Sequence, residues 1–220
     1  MRISVWKRTA AVFVDNDIAR TILSRSLAPF GPLLGYPRLG AEMALRGLTH
    51  LRIAGGKGLY VGRYVVFAGE SRISCGEHVR LYGFNYLNAE GRLGQIHIGD
   101  QSHVDQGSVL YGQGGITIGP GCAIAAGVKI YSQSNQYRAD PMLPVFKQPV
   151  LYKPVIIGAN VWIGANAVLL PGVEIGEGAV IGAGAIVKGK VPAFAILAGN
   201  PAKIIGQRTT EQDTTCVFSS

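Results

Sequence analysis

At 220 residues the chain has room for one ordinary domain or a short repeat array with a sizeable core, and none for a large multidomain enzyme. With 31 glycines, 48% hydrophobic and only 15% charged residues, it is apolar and glycine-punctuated, which excludes a disordered acidic or basic segment. The net charge of +8 favours anionic partners, but the basic residues stand singly and no aromatic RNA-binding signature accompanies them, so nucleic acid is not expected as a partner.

Residues 1–52 mix apolar residues with Arg and Lys in a broadly helical manner, as in VWKRTAAVFVDNDIARTILSRSL, and read as a helical N-terminal arm or cap. The same basic arm leaves room for a weak association with the inner face of a membrane. The start lacks an uninterrupted apolar core followed by a cleavage site, and no apolar run reaches the roughly 18 residues that span a bilayer. Three cysteines, Cys75, Cys122 and Cys216, are spaced for neither a zinc site nor a disulfide framework, so a cytoplasmic setting is expected and no metal.

From residue 53 to 206 the dominant signal is a period of six, clearest in VIIGANVWIGANAVLLPGVEIGEGAVIGAGAIV. Ile157, Ile163, Leu169, Ile175, Ile181 and Val187 occupy one phase, and Val155, Val161, Ala167, Val173, Ala179 and Ala185 stand two residues before them. A helix repeats at 3.6 and an ordinary strand at 2, so a period of six with glycine at fixed phase requires three short strands per turn. The expected fold is all-β, a triangular parallel solenoid with roughly 18 residues per coil and rungs about 4.8 Å apart. The phase continues upstream through Val61, Phe67, Ile73 and Val79, then Ile98, Val104 and Leu110, then Ile118, Ile124 and Ile130. Slips are expected between Val79 and Ile98 and at GQGG before Ile118.

Residues 131–154 interrupt the array with four prolines and are expected to leave the ladder as an excursion loop on a functional face. Residues 207–220 read as a polar tail.

The run NVWIGANAVLLPGVEIGEGAVIGAGAIV followed by VPAFAILAGNPAKII resembles the C-terminal half of hexapeptide-repeat acyltransferases, and most of all sugar O-acetyltransferases of bacterial polysaccharide synthesis. The resemblance covers about residues 59–206. It implies a left-handed parallel β-helix, a homotrimer with active sites between neighbouring prisms, and acetyl-CoA lying along the coils opposite a saccharide acceptor. The implied chemistry is direct transfer: a histidine deprotonates the acceptor, which attacks the thioester while backbone amides steady the oxyanion.

Carried over residue by residue, the resemblance implies cofactor contacts at Trp162, Ala165 and Ala183, and a basic contact to the CoA phosphates at Lys203. Where relatives read VVTKDIP this chain reads IVKGKVP, which leaves Lys188 as a further contact. The catalytic histidine of these relatives falls on Asn135 or, in the xenobiotic-type pattern, on Gln136. Neither side chain is an efficient general base. His78, His97 and His103 each precede an inward aliphatic residue and are expected to point outward, with His78 and His97 on the face of the loop. Asp105 and Asp140 are the other candidate bases.

Three readings follow. The first is a CoA-dependent acetyltransferase acting on a saccharide. The second is a hexapeptide trimer that has lost catalysis and serves as a scaffold, motivated by the histidine-free loop. The third is a solenoid metal enzyme resembling the γ-type carbonic anhydrases, which recruit three histidines across a subunit interface; the spacing of 19 from His78 to His97 and then 6 to His103 does not reproduce such a pattern.

Overall fold

A computed structural model describes residues 53–208, so the expected helical arm and most of the polar tail lie outside the described residues. The described chain is a parallel β-solenoid whose short strands stack into three sheets. Among the described residues, no helix is long and apolar enough to cross a membrane.

The first face, sheet A, stacks β1 (Ala54–Gly55), β4 (Ile73–Cys75), β7 (Ile96–Ile98), β10 (Ile116–Ile118), β15 (Val155–Ile157), β18 (Glu174–Ile175) and β21 (Lys190–Val191). Sheet B stacks β2 (Tyr60–Val61), β5 (Arg80–Leu81), β8 (His103–Val104), β11 (Ala123–Ile124), β16 (Trp162–Ile163), β19 (Val180–Ile181) and β22 (Ala195–Ala198). Its last rung carries β23 (Lys203–Gln207), which turns back antiparallel on β22. Sheet C stacks β3 (Val66–Ala68), β6 (Tyr86–Asn88), β9 (Val109–Tyr111), β12 (Lys129–Tyr131), β17 (Val168–Leu169) and β20 (Ile186–Val187).

The strands are two to five residues long because each hexapeptide must turn a corner before the next begins. Every inward residue then sits above its counterpart one coil earlier: Ile157 on Ile118, Ile163 on Ile124, and Leu169 on Ile130. These columns form the core, and Leu81, Leu87, Ile98, Val104, Leu110, Ile124 and Ile163 are completely buried. Cys75 in the first inward column and Cys122 in the column two residues earlier are both buried, which pushes the Cys75 thiol up to about 12 and raises that of Cys122. Thiols held protonated in this way are inert packing groups.

The structure corrects the frame of the first coils. Cys75, not Ile73, pairs with Ile98, and Leu81, not Val79, pairs with Val104. The inward phase therefore runs Phe67, Cys75, Leu81 and Leu87, and two extra residues enter at the 3-10 turn Glu70–Arg72. Ile73 and Val79 are still buried, as members of the column two residues earlier, so a pattern of aliphatic residues cannot distinguish the two phases. The slip at GQGG falls where expected, and the insertion before Ile98 follows β6, at Glu90–Gln95.

In the coils preceding the excursion, the second column also admits polar groups where the sequence pattern asks for aliphatic ones. Asn85, Ser102 and Ser108 are buried. Asn85 Oδ1 accepts the Ser108 amide at 2.8 Å, and its Nδ2 donates to the carbonyls of Tyr82 and Val104 at 2.9 and 3.1 Å. Ser102 Oγ donates to the Gly119 carbonyl and accepts the Cys122 amide, both at 2.9 Å. These side chains satisfy corner backbone groups that face the interior, where an unpaired group is costly.

Candidate active site

The excursion leaves the prism at the corner between sheets C and A, after β12 and before β15. Ser132 anchors its base: the hydroxyl donates to the Tyr111 carbonyl at 2.7 Å and accepts the Gly114 amide at 2.8 Å. Beyond it the chain forms its own antiparallel ribbon, β13 (Gln133–Asn135) against β14 (Val150–Tyr152). The tip is tied by buried Gln148, whose side chain accepts the Asp140 amide and donates to the carbonyls of Leu143 and Asp140. The proline-rich segment leaves the ladder and is internally built.

Asn135 and Gln136 lie on this ribbon and are exposed; the Gln136 amide donates to Pro149 and Asn135 Nδ2 reaches the Val145 carbonyl at 3.5 Å. Asp140 serves the turn, with its carboxylate accepting the Met142 amide at 2.9 Å. Lys188 follows β20 and so stands at the same corner of the prism, between sheets C and A. Nearby on the outer side of sheet C, Tyr86, Tyr111 and Tyr131 form a ring ladder with centroid separations of 5.7 and 5.5 Å.

The other expected site residues gather elsewhere. Trp162 stands on the outer face of sheet B and is 55% exposed. Ala165 and Ala183 occupy equivalent places one coil apart at the corner between sheets B and C, where the Gly184 amide donates to the Ala165 carbonyl at 2.8 Å. Lys203 opens β23 at the far end of the same sheet, paired with Ala198. One chain therefore brings together Trp162, Ala165, Ala183 and Lys203, and separately Asn135, Gln136 and Lys188, on two different edges.

The outer face of sheet B holds what the sequence frame missed. Arg80, His103, Ala123 and Trp162 are direct cross-strand neighbours in four successive coils. Below Trp162 the residues are small, Ala123 and Ala125, and then the surface turns polar at His103 and Asp105. There His78, Arg80, Gln101, Ser102 and His103 line a groove of ≈ 380 Å³. The His103 ring meets Tyr82 edge-on at 6.5 Å, and Tyr82 in turn packs on Tyr60 at 5.9 Å. The signal lay in the order of residues: once the insertion at Glu90–Gln95 and the slip at GQGG are placed, RLY, HVD and AIA fall into one register.

The three histidines do not converge. His78 lies in the left-handed region, with φ 55°, at the corner between sheets A and B, rather than on the face of the loop. His97 is outward on sheet A, its Nδ1 2.9 Å from Ser74 Oγ, and His103 is on sheet B. Among the described residues no group of three His, Cys, Asp or Glu side chains is arranged to hold a metal ion. A second groove, of ≈ 430 Å³ on sheet A, is crossed by Lys190, which donates to Glu174 at 2.8 Å; that hydrogen bond raises the ammonium's pKa.

Comparison with known proteins gives a consistent picture. A family model described as bacterial transferase hexapeptide (six repeats) matches residues 154–189. The fold is similar to AntD, an N-acyltransferase from Bacillus cereus solved with dTDP and 3-hydroxybutyryl-CoA, at 25% identity and TM-score 0.66, over 75% of this chain and 88% of that one. It is also similar to a galactoside acetyltransferase in complex with coenzyme A, at 26% identity and TM-score 0.55, over 74% of this chain and 68% of that one. A hexapeptide-repeat acetyltransferase of Vibrio cholerae, VCA0836, solved with acetyl coenzyme A, shares the fold at 24% identity and TM-score 0.54, over 76% and 77% of the two chains.

Proposed function

The chain is a hexapeptide-repeat protein, and on that premise we propose that it is a CoA-dependent acyltransferase that transfers an acetyl group to a saccharide hydroxyl or amine in surface-glycan synthesis. The observation that carries this reading is the outer strip of sheet B. Trp162 offers an aromatic wall, Ala165 and Ala183 leave the backbone open beside it, and Lys203 puts a cation at the end of the strip. A long, thin thioester cofactor with phosphates at one end needs this combination. Two relatives near one quarter identity were solved with CoA or an acyl-CoA.

Trp162→Ala and Lys203→Ala together are expected to weaken acetyl-CoA binding by more than about tenfold at low salt, equivalent to ~1.4 kcal/mol. Isothermal calorimetry reads this directly. A dissociation constant unchanged by both substitutions would remove the cofactor from this face.

The division of the site residues between two edges leads to the second element of the proposal, a homotrimer with parallel axes and left-handed coils. A neighbouring prism brings its loop corner, with Asn135, Gln136 and Lys188, against the sheet B strip of the first. The loop also exposes Met142, Val145 and Phe146 at 88%, 57% and 79%, apolar surface of the kind that an interface covers. Sedimentation is expected to give three chains per particle, and a stable monomer of 23.3 kDa would refute the shared cleft.

The scaffold reading keeps one specific observation, the absence of any histidine from the described loop. It predicts acetyl-CoA binding with no thiol release from any acceptor.

A further inference from the structure

We infer that His103 is the proton acceptor for acyl transfer, working from the sheet B groove of its own chain in place of a loop histidine; this rests on the acyltransferase reading above. His103 lies in the column of Trp162, two rungs away, about 10 Å at ~4.8 Å per rung. Lys203 is on the eighth strand of that sheet and His103 on the third, five rungs apart, or about 24 Å. That span is comparable with a CoA molecule laid out along the axis, phosphates at Lys203 and thioester near His103. Between His103 and Trp162 the floor is only Ala123 and Ala125, and beyond Trp162 the column continues through Val180 and Ile196 toward Lys203.

The surroundings of His103 suit an acceptor as well as a cofactor. The ring is half-buried, set edge-on against Tyr82, and it opens into the ≈ 380 Å³ groove that also contains Arg80, His78 and Gln101. Arg80 on the adjacent strand is its direct neighbour and offers a guanidinium to an anionic acceptor such as a sugar diphosphate. Asp105 follows two residues after His103, just past the end of that strand.

In the transfer a ring nitrogen of His103 takes the proton from the acceptor oxygen or nitrogen as that atom bonds to the thioester carbonyl carbon. Collapse of the tetrahedral intermediate breaks the carbon–sulfur bond. The CoA thiolate then takes the proton from the imidazolium, so His103 returns to its neutral form and no other reactant is consumed.

The first test needs no acceptor and uses the parent protein. Diethyl pyrocarbonate is expected to modify His103 in the free protein and to modify it at least tenfold more slowly in saturating acetyl-CoA, whereas His97 on sheet A reacts equally in both, as read by peptide mass spectrometry. The second uses dTDP-4-amino-4,6-dideoxyglucose, a ligand of the structurally similar N-acyltransferase, as acceptor in a thiol-release assay. His103→Gln is expected to lower kcat by about 10²- to 10⁴-fold with the KM for acetyl-CoA nearly unchanged, while His97→Gln leaves both in place. A His103 that stays equally reactive in protein shown by calorimetry to hold acetyl-CoA, or a His103→Gln variant with the parental kcat, overturns the assignment. If calorimetry finds no acetyl-CoA binding at all, it is the acyltransferase reading that fails, and the assignment with it.

Discussion

Gly119→Val is expected to prevent the solenoid from closing between the coil that ends at Tyr131 and the coil that begins at Val155. A Cβ built on Gly119 falls 2.7 Å from the amide nitrogen of Ala159 and 2.7 Å from the carbonyl carbon of Gly158, both backbone atoms of the next rung. The Gly119 amide also donates to the Ile157 carbonyl at 2.8 Å, so the rung cannot be pushed away without breaking the ladder. Overpacking against yielding side chains costs about 1–3 kcal/mol, and here the obstruction is main chain, so a loss above ~3 kcal/mol is expected. For a chain of this size that lowers Tm by more than roughly 6 °C. Gly206→Ala is the control, since its added methyl meets only Ile196 Cδ1, at 3.8 Å. Melting followed by circular dichroism distinguishes the two, and a Gly119→Val protein that melts with the parent contradicts the contact.

Asn85→Ala is the second large effect. The side chain is 1% exposed and bridges two coils, accepting the Ser108 amide and donating to the carbonyls of Tyr82 and Val104. Val104 keeps another donor, the Tyr82 amide at 2.9 Å, so truncation orphans chiefly the Ser108 N–H and the Tyr82 carbonyl. A buried N–H and a part-buried carbonyl left unpaired at about 1–3 kcal/mol each amount to ~3 kcal/mol. The Tm is expected to fall by roughly 6–12 °C. Because each coil contacts only its neighbours, the damage should be local. Amide exchange should accelerate between residues 80 and 110 and stay at parental rates between 160 and 190. Uniform acceleration along the array would mean that the coils unfold as one unit, against that expectation.

The same nearest-neighbour character explains how much of the fold was legible in advance. From Val155 to Val187 the columns of Ile157, Ile163 and Leu169 are written in the sequence at an unbroken spacing of six, because each rung repeats the same requirement for an inward aliphatic residue and a small corner. The excursion was legible for the opposite reason, since its prolines cannot donate to the ladder. The first coils were misread because both inward columns accept aliphatic residues. Ile73 and Val79 satisfy the six-residue rule in the wrong column, and only the pairing of Cys75 with Ile98 reveals the extra residues at Glu70–Arg72.

The candidate site shows the same limit. Trp162, Ala165, Ala183 and Lys203 lie in or next to the regular part of the array, and the structure gathers them along sheet B and its corner with sheet C. Placing His103 and Arg80 beneath Trp162 depends on two insertions and the slip that separate these residues along the chain, and a linear pattern does not count across insertions of unknown length.

By itself the sequence determined that the chain forms a three-sided parallel solenoid with one excursion, because a period of six leaves no other geometry for burying its aliphatic residues. Tertiary structure alone decided which outward residues share a face. Inward positions are fixed by burial, which the sequence writes as hydrophobicity, whereas outward neighbours such as His103, Ala123 and Trp162 are selected only by the hydrogen-bond register between coils, which carries no signature in residue type.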